Sequence, residues 1–161
     1  MRASSLRSAL SLAAVFGFIV SVFAMAESVY SSLRGICSVN SFFSCALVDQ
    51  SGKTTTLGIQ DYFWGIAGFI LILIGAALWE RWPEKMWLGY GLVALTTAGV
   101  ALAFYFLYVE LAEIHALCLV CATTYLFGGI AWVAALALVR KSRHGDLEPE
   151  APDEDPGTDP S

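Results

Sequence analysis

Charge is scarce in this sequence. Asp, Glu, Lys and Arg make up 14 % of its 161 residues, against about 25 % in a typical soluble domain. Four stretches have none: Ser8–Ala26 (19 residues), Tyr62–Trp79 (18), Met86–Val109 (24) and Ile114–Val139 (26). A bilayer crossing needs about 20 mostly apolar residues, so four such runs exclude a water-soluble globule. They also exclude an outer-membrane barrel, whose strands alternate over about 10 residues. Proline is nearly missing before the last 17 residues, where four of the five prolines lie. A basic stripe and a nucleic-acid-binding motif are both lacking, which argues against a nucleic-acid partner.

What is present is apolar: 57 % of the residues, with a mean hydropathy of +0.66. The net charge of −5 comes from the end of the chain, where seven of the 14 acids lie between Asp146 and Asp159. Elsewhere nine basic side chains face seven acidic ones, a balance of +2. These features predict an all-α membrane protein, a bundle of four transmembrane helices over residues 1–144. Its spans fall at about 8–26, 62–79, 86–109 and 114–139, with an outer loop over 27–61. Residues 145–161, acidic and proline-rich, predict a disordered tail.

Basic residues near span ends set orientation. Arg2, Arg7, Arg81, Lys85, Arg140, Lys141 and Arg143 all fall on one side of a four-span topology, and only Arg34 and Lys53 fall on the other. Both termini are therefore expected in the cytoplasm, with the loop 27–61 and a short turn 109–114 outside. Ala24-Met25-Ala26 has the small-x-small pattern of a signal-peptidase site, but the 19-residue run before it exceeds the usual 7–15 residues of such leaders, and we read it as a span. Trp79, Trp82 and Trp87 flank the polar turn between the second and third spans, where an aromatic belt belongs. In the outer loop, Ser41–Val48 predicts a short amphipathic helix, and Gln50–Thr56 a polar turn. Glu110 and Glu113 read as a solvated turn, and Glu27 as the end of the first span.

The four cysteines all fall on or near the outer side: Cys37 and Cys45 in the loop, and Cys118-Leu119-Val120-Cys121 near the outer end of the fourth span. Disulfides persist in that compartment. On a helix, residues i and i+3 share a face, so the C-x-x-C sulfurs can form a strained, easily reduced disulfide. A helix N-terminus also favours the thiolate, the attacking species, which makes Cys118 the better nucleophile. Thiol–disulfide exchange needs a second thiol pair within reach, and Cys37 with Cys45 could provide it. Three alternatives remain at this point: Cys37–Cys45 as a mere loop staple, the C-x-x-C pair as packing, and a zinc site of four thiolates, for which the x7 spacing is poor. Positions 118, 121 and 125 are i, i+3 and i+7, which puts both sulfurs and the Tyr125 ring on one helix face. His115, three residues before Cys118, would share that face and could relay a proton. Phe63 and Trp64 could pack a ring or only a neighbouring helix.

With these residues the sequence resembles the vitamin K epoxide reductase family. The resemblance rests on Cys37 and Cys45 with seven residues between, Ser51 six positions on, Trp64-Gly65 opening the second span, and Cys118-x-x-Cys121 followed by Thr124-Tyr125. It covers roughly residues 8–140 and points to a bacterial or archaeal type without a fused thioredoxin-like domain. The resemblance implies a membrane thiol:quinone oxidoreductase that oxidises a thioredoxin-like partner, reduces a membrane quinone (menaquinone, ubiquinone or a vitamin K-like compound) and supports disulfide formation in exported proteins. It makes Cys37 and Cys45 the shuttle pair, with Cys45 exchanging with Cys118, and makes Cys121 the sulfur nearest the quinone. Tyr125, Asp61, Trp64 and Ser51 are then expected at the quinone, Asp61 standing where the family usually has an Asn. The setting expected is a prokaryotic cell membrane, or the ER membrane in a eukaryote. The rival reading is a structural, claudin-like four-span protein with a stapled outer loop; it gives no reason for a second cysteine pair. DsbB-type quinone oxidoreductases do a similar job but carry their C-x-x-C early in the chain.

Overall fold

The structure, a computed structural model, describes residues 3–30, 42–52, 55–56 and 58–143. Cys37 and the acidic tail lie outside the described residues. Four long helices dominate: α1 (Ala3–Val29), α3 (Asp61–Arg81), α4 (Met86–Tyr108) and α5 (Leu119–Arg143). Between α1 and α3 lie a six-residue helix, α2 (Cys45–Gln50), and a minimal antiparallel hairpin of β1 (Thr55–Thr56) and β2 (Ile59–Gln60). Gly58, with φ of +77°, takes the left-handed conformation that closes this hairpin at no steric cost.

All four long helices are long and apolar enough to cross a membrane. Their outer faces carry large exposed apolar side chains, among them Phe16, Ile74, Trp87, Phe104, Leu126 and Val133. Acyl chains cover such a surface. The helix form satisfies every backbone group internally, as a span requires. The chain is therefore a multi-pass membrane protein built as a four-helix bundle.

Hydrophobic burial does not drive helices together in lipid, so close packing must. α1 packs chiefly on α5 and α3, and α4 on α5 and α3. Small residues make this possible: Ala13 and Ala14 of α1 share a core with Ala131, Ala134 and Ala135 of α5. A methyl group added at Gly17 would overlap the buried Phe69 ring, and one at Gly65 would sit 2.7 Å from Ser21 Oγ. These two glycines let α1 and α3 approach closely.

Three boundaries differ from the sequence expectation. The loop helix begins at Cys45, because Ser44 caps it with its Oγ accepting from Leu47 N–H at 3.3 Å. Phe42 and Phe43 precede the helix; Phe43 pairs with Leu117, and Leu117 N–H donates to Phe42 O at 2.7 Å. The expected outer turn 109–114 is a π-helical continuation of α4 over Val109–Ile114. The run from Ile114 is broken by His115, whose φ of 57° and ψ of 29° cannot continue a helix, so α5 starts only at Leu119.

Candidate active site

Helix alternation brings the C-terminal ends of α1 and α4 and the N-terminal ends of α3 and α5 to one pole of the bundle. The Phe42–Phe43 segment hydrogen-bonds the α4–α5 connection there and lays α2 against it. The result is a small second core of Cys45, Val48, Ala116 and Cys118, with Ile114, Val120 and Cys121 packed around it.

Within this core Cys45 is disulfide-bonded, and Cys118 and Cys121 are free thiols. Cys118 Sγ lies 3.0 Å from Cys45 Sγ, inside ordinary sulfur–sulfur contact and close enough for thiol–disulfide exchange at Cys45. Cys118 itself stands just ahead of α5: its carbonyl accepts from Ala122 N–H at 2.9 Å, and its Sγ accepts from Cys121 N–H at 3.2 Å. The sulfur thus caps the helix as a serine oxygen would.

Cys121, one turn further, meets different neighbours. Its thiol donates to Asp61 Oδ2 at 3.5 Å. Asp61 opens α3, where its Oδ1 accepts from Tyr62 N–H at 2.8 Å. Cys121 and Asp61 line a cavity of about 110 Å³ inside the bundle, together with Ser21, Trp64, Gly65, Phe106, Thr124 and Tyr125. Cys121 and Tyr125 thus share a cavity, as their spacing predicts. Cys118 does not join them, because its place ahead of the helix turns its sulfur to the loop. The two thiols of one C-x-x-C serve two compartments of the site.

Trp64 lines the cavity, and its buried indole N–H has no hydrogen-bond partner among the described residues. An unsatisfied buried donor is costly and rare, and an acceptor in the cavity would satisfy it. Ser51 is placed elsewhere: it ends α2, its hydroxyl donates to Val48 O at 2.7 Å, and it does not line the cavity. His115 is exposed on the left-handed turn; it is off the helix, so the face-sharing argument with Cys118 does not hold.

Glu110 is the residue that sequence reasoning missed. Expected on a solvated turn, it is fully buried, at 0 % exposure. Its Oε2 accepts from Cys118 N–H at 3.0 Å, and its Oε1 accepts from Tyr125 O–H at 2.9 Å. Its backbone carbonyl accepts from the N–H groups of His115 and Ala116. One residue therefore fixes the α4–α5 connection, the Cys118 backbone and the phenol. The π-helical turn carries the residue inward; such turns are frequent at functional sites. Glu27, read as a span end, is also buried, two residues inside the end of α1.

A second, almost wholly apolar groove of about 630 Å³ runs between α4 and α5, with Leu6 and Ala9 of α1 behind it. It shares Val100, Ala103 and Tyr125 with the inner cavity.

The profile of the vitamin K epoxide reductase family matches residues 8–136, about four-fifths of the chain. No curated protein matches it. The matched segment holds all four cysteines, Asp61, Glu110 and Tyr125, and the chain belongs to this family. It is accordingly a membrane oxidoreductase of the thiol–disulfide and quinone type, a family whose electron acceptor is a quinone or vitamin K.

Proposed function

We propose that this member of the family takes electrons from the thiols of a thioredoxin-like partner and delivers them to a membrane quinone, so that disulfides form in exported proteins. The shuttle pair is Cys37 and Cys45; Cys45 exchanges with Cys118, and Cys121 faces the quinone. The observation that carries this reading is the 3.0 Å contact between the free Cys118 sulfur and the disulfide-bonded Cys45. Exchange proceeds by thiolate attack through a mixed disulfide, and no other described cysteine is placed for it.

In the described state Cys118 and Cys121 hold the electron pair. A quinone bound in the cavity accepts that pair and two protons and leaves as quinol, while a Cys118–Cys121 disulfide forms. The cavity suits such a ligand. It is mainly apolar, the Trp64 N–H lacks an acceptor among the described residues, and Asp61 and Tyr125 line it with Cys121. The inner cavity would take the quinone ring, and the groove between α4 and α5, which shares Val100, Ala103 and Tyr125 with it, would be the way in from the bilayer. The Lys/Arg asymmetry favours the thiol pole outside a prokaryotic cell membrane.

The test is anaerobic quinone reduction by purified protein in detergent, with dithiothreitol or a reduced thioredoxin-like protein as donor. Wild type should reduce quinone and Cys121→Ala should not. If neither does, and all four cysteines remain in stable disulfides, the structural four-span reading replaces this one.

A further inference from the structure

The buried Glu110 carboxyl has no part in the electron path just described, yet it bonds both Cys118 of that path and Tyr125 of the cavity. Its two oxygens meet Cys118 N–H at 3.0 Å and Tyr125 O–H at 2.9 Å. A tyrosine hydroxyl has one proton to donate. With that proton directed at Glu110, Tyr125 offers none to a ligand in the cavity. Tyr125 can turn its proton to a quinone oxygen only if the carboxyl supplies the hydrogen of the bond between them.

We propose that Glu110 and Tyr125 form the path by which a proton released at the thiol pair reaches the quinone, with Glu110 acting through Tyr125 as a positioning and relay residue. The proposal rests on the thiol:quinone reading above. The step balances. Formation of the Cys118–Cys121 disulfide releases two electrons and two protons. The electrons leave through the Cys121 sulfur. The Cys118 proton passes to Glu110, the carboxyl bonded to that residue's own N–H. Glu110 gives a proton to Tyr125 Oη as Tyr125 gives its own to one quinone oxygen. The Cys121 proton leaves toward Asp61, whose Oδ2 its thiol already meets at 3.5 Å, and completes the quinol. The two carboxyls thus meet the C-x-x-C from different elements, Asp61 of α3 at the Cys121 thiol and Glu110 of the π-helical turn at the Cys118 N–H.

Glu110→Gln separates the relay from the anchor. The amide oxygen can still accept from Cys118 N–H and the amide NH2 can donate to Tyr125 Oη, but the amide passes no proton on. Single-turnover quinone reduction by the variant should be slower by about 100-fold, a typical general acid–base contribution. Two readouts should hold within twofold. One is equilibrium quinone binding. The other is the Cys45–Cys118 mixed disulfide trapped in a Cys121→Ala background and counted by mass spectrometry. Adding Tyr125→Phe to Glu110→Gln should slow the reaction by no more than a further twofold, because both act on one proton.

An unchanged quinone step in Glu110→Gln overturns the relay, as does full additivity of the two substitutions. Loss of the trapped mixed disulfide with the quinone step unchanged also overturns it and leaves Glu110 an anchor alone. A wild type that reduces no quinone overturns the functional reading itself, a result the variants cannot mimic.

Discussion

The two cores of this molecule hold together in opposite ways. The larger core, along α1, α3 and α5, is built from Leu, Ala, Phe and Ile side chains packed at close range, with Gly17 receiving the Phe69 ring. The smaller core, at the thiol pole, contains two sulfurs 3.0 Å apart and a buried carboxyl with both oxygens bonded. Packing energy is spread over many weak contacts. At the pole, by contrast, each group has one or two partners with a required distance. Damage to the first core should therefore appear as lost stability, and damage to the second as lost chemistry in a protein that remains folded.

The largest expected effect comes from the pole. Cys118→Ser and Cys121→Ala each remove a sulfur on the proposed electron path, and each should cut quinone reduction by at least about 1000-fold, some 4 kcal/mol of barrier at 1.4 kcal/mol per decade. Thermal midpoints in detergent should stay close to wild type. A collapse of the fold in either variant would erase the contrast between the two cores.

Next comes the packing core. Gly17→Leu drives a side chain into the Phe69 ring, which is itself 5 % exposed and has little room to move. Overpacking of this kind costs about 1–3 kcal/mol. The thermal midpoint should fall, while quinone turnover per folded molecule, measured below the transition, should not change. A variant that melts normally yet loses turnover would mean that the α1–α3 approach sets the cavity geometry as well as the stability.

Trp64→Phe is a smaller change and lies on the border between the two regions. It keeps most of the ring and removes the N–H that has no partner among the described residues. If a quinone oxygen accepts from that N–H, the variant should raise KM by about 3–10-fold, the effect of one hydrogen bond worth roughly 0.5–1.5 kcal/mol, with kcat within twofold. An unchanged KM would leave Trp64 as packing only.

The packing core was the more legible of the two. Charge-free runs mark the four spans because a bilayer excludes charge over a fixed length, and this signal needs no tertiary information. Cys121 and Tyr125 could also be named, since helical spacing and the family resemblance agree on them, and Asp61 could be named from the resemblance alone. Ser51 was expected at the quinone, but its hydroxyl is engaged with the carbonyl of Val48 in its own helix. Glu110 was missed because an acid near a span end is normally solvated. Only the π-helical turn, which has no clear sequence signature, carries it inward. The break at His115 was missed for a related reason: neither glycine nor proline marks it. The start of α2 at Cys45 was within reach, since Ser44 is a preferred N-cap residue.

The smallest expected effect tests whether the lipid-side surface belongs to either core. Trp132 Nε1–H donates to Thr97 Oγ1 at 2.9 Å, on the exposed face where α4 meets α5. Thr97 in turn donates to Val93 O at 2.7 Å, so it keeps a partner if the indole is removed. Interhelical hydrogen bonds in membranes average about 0.6 kcal/mol, because the separated helices also find partners. Trp132→Phe should therefore lower the thermal midpoint slightly and leave turnover untouched. Yet Trp132 also lines the groove that shares Tyr125 with the inner cavity. A rise in KM confined to quinones with long isoprenoid tails, and absent for tailless ones, would show that the groove holds the tail. The division would then run along the path of the quinone, with α4 and α5 serving the chemistry on their lipid side and the rest of the bundle serving as support.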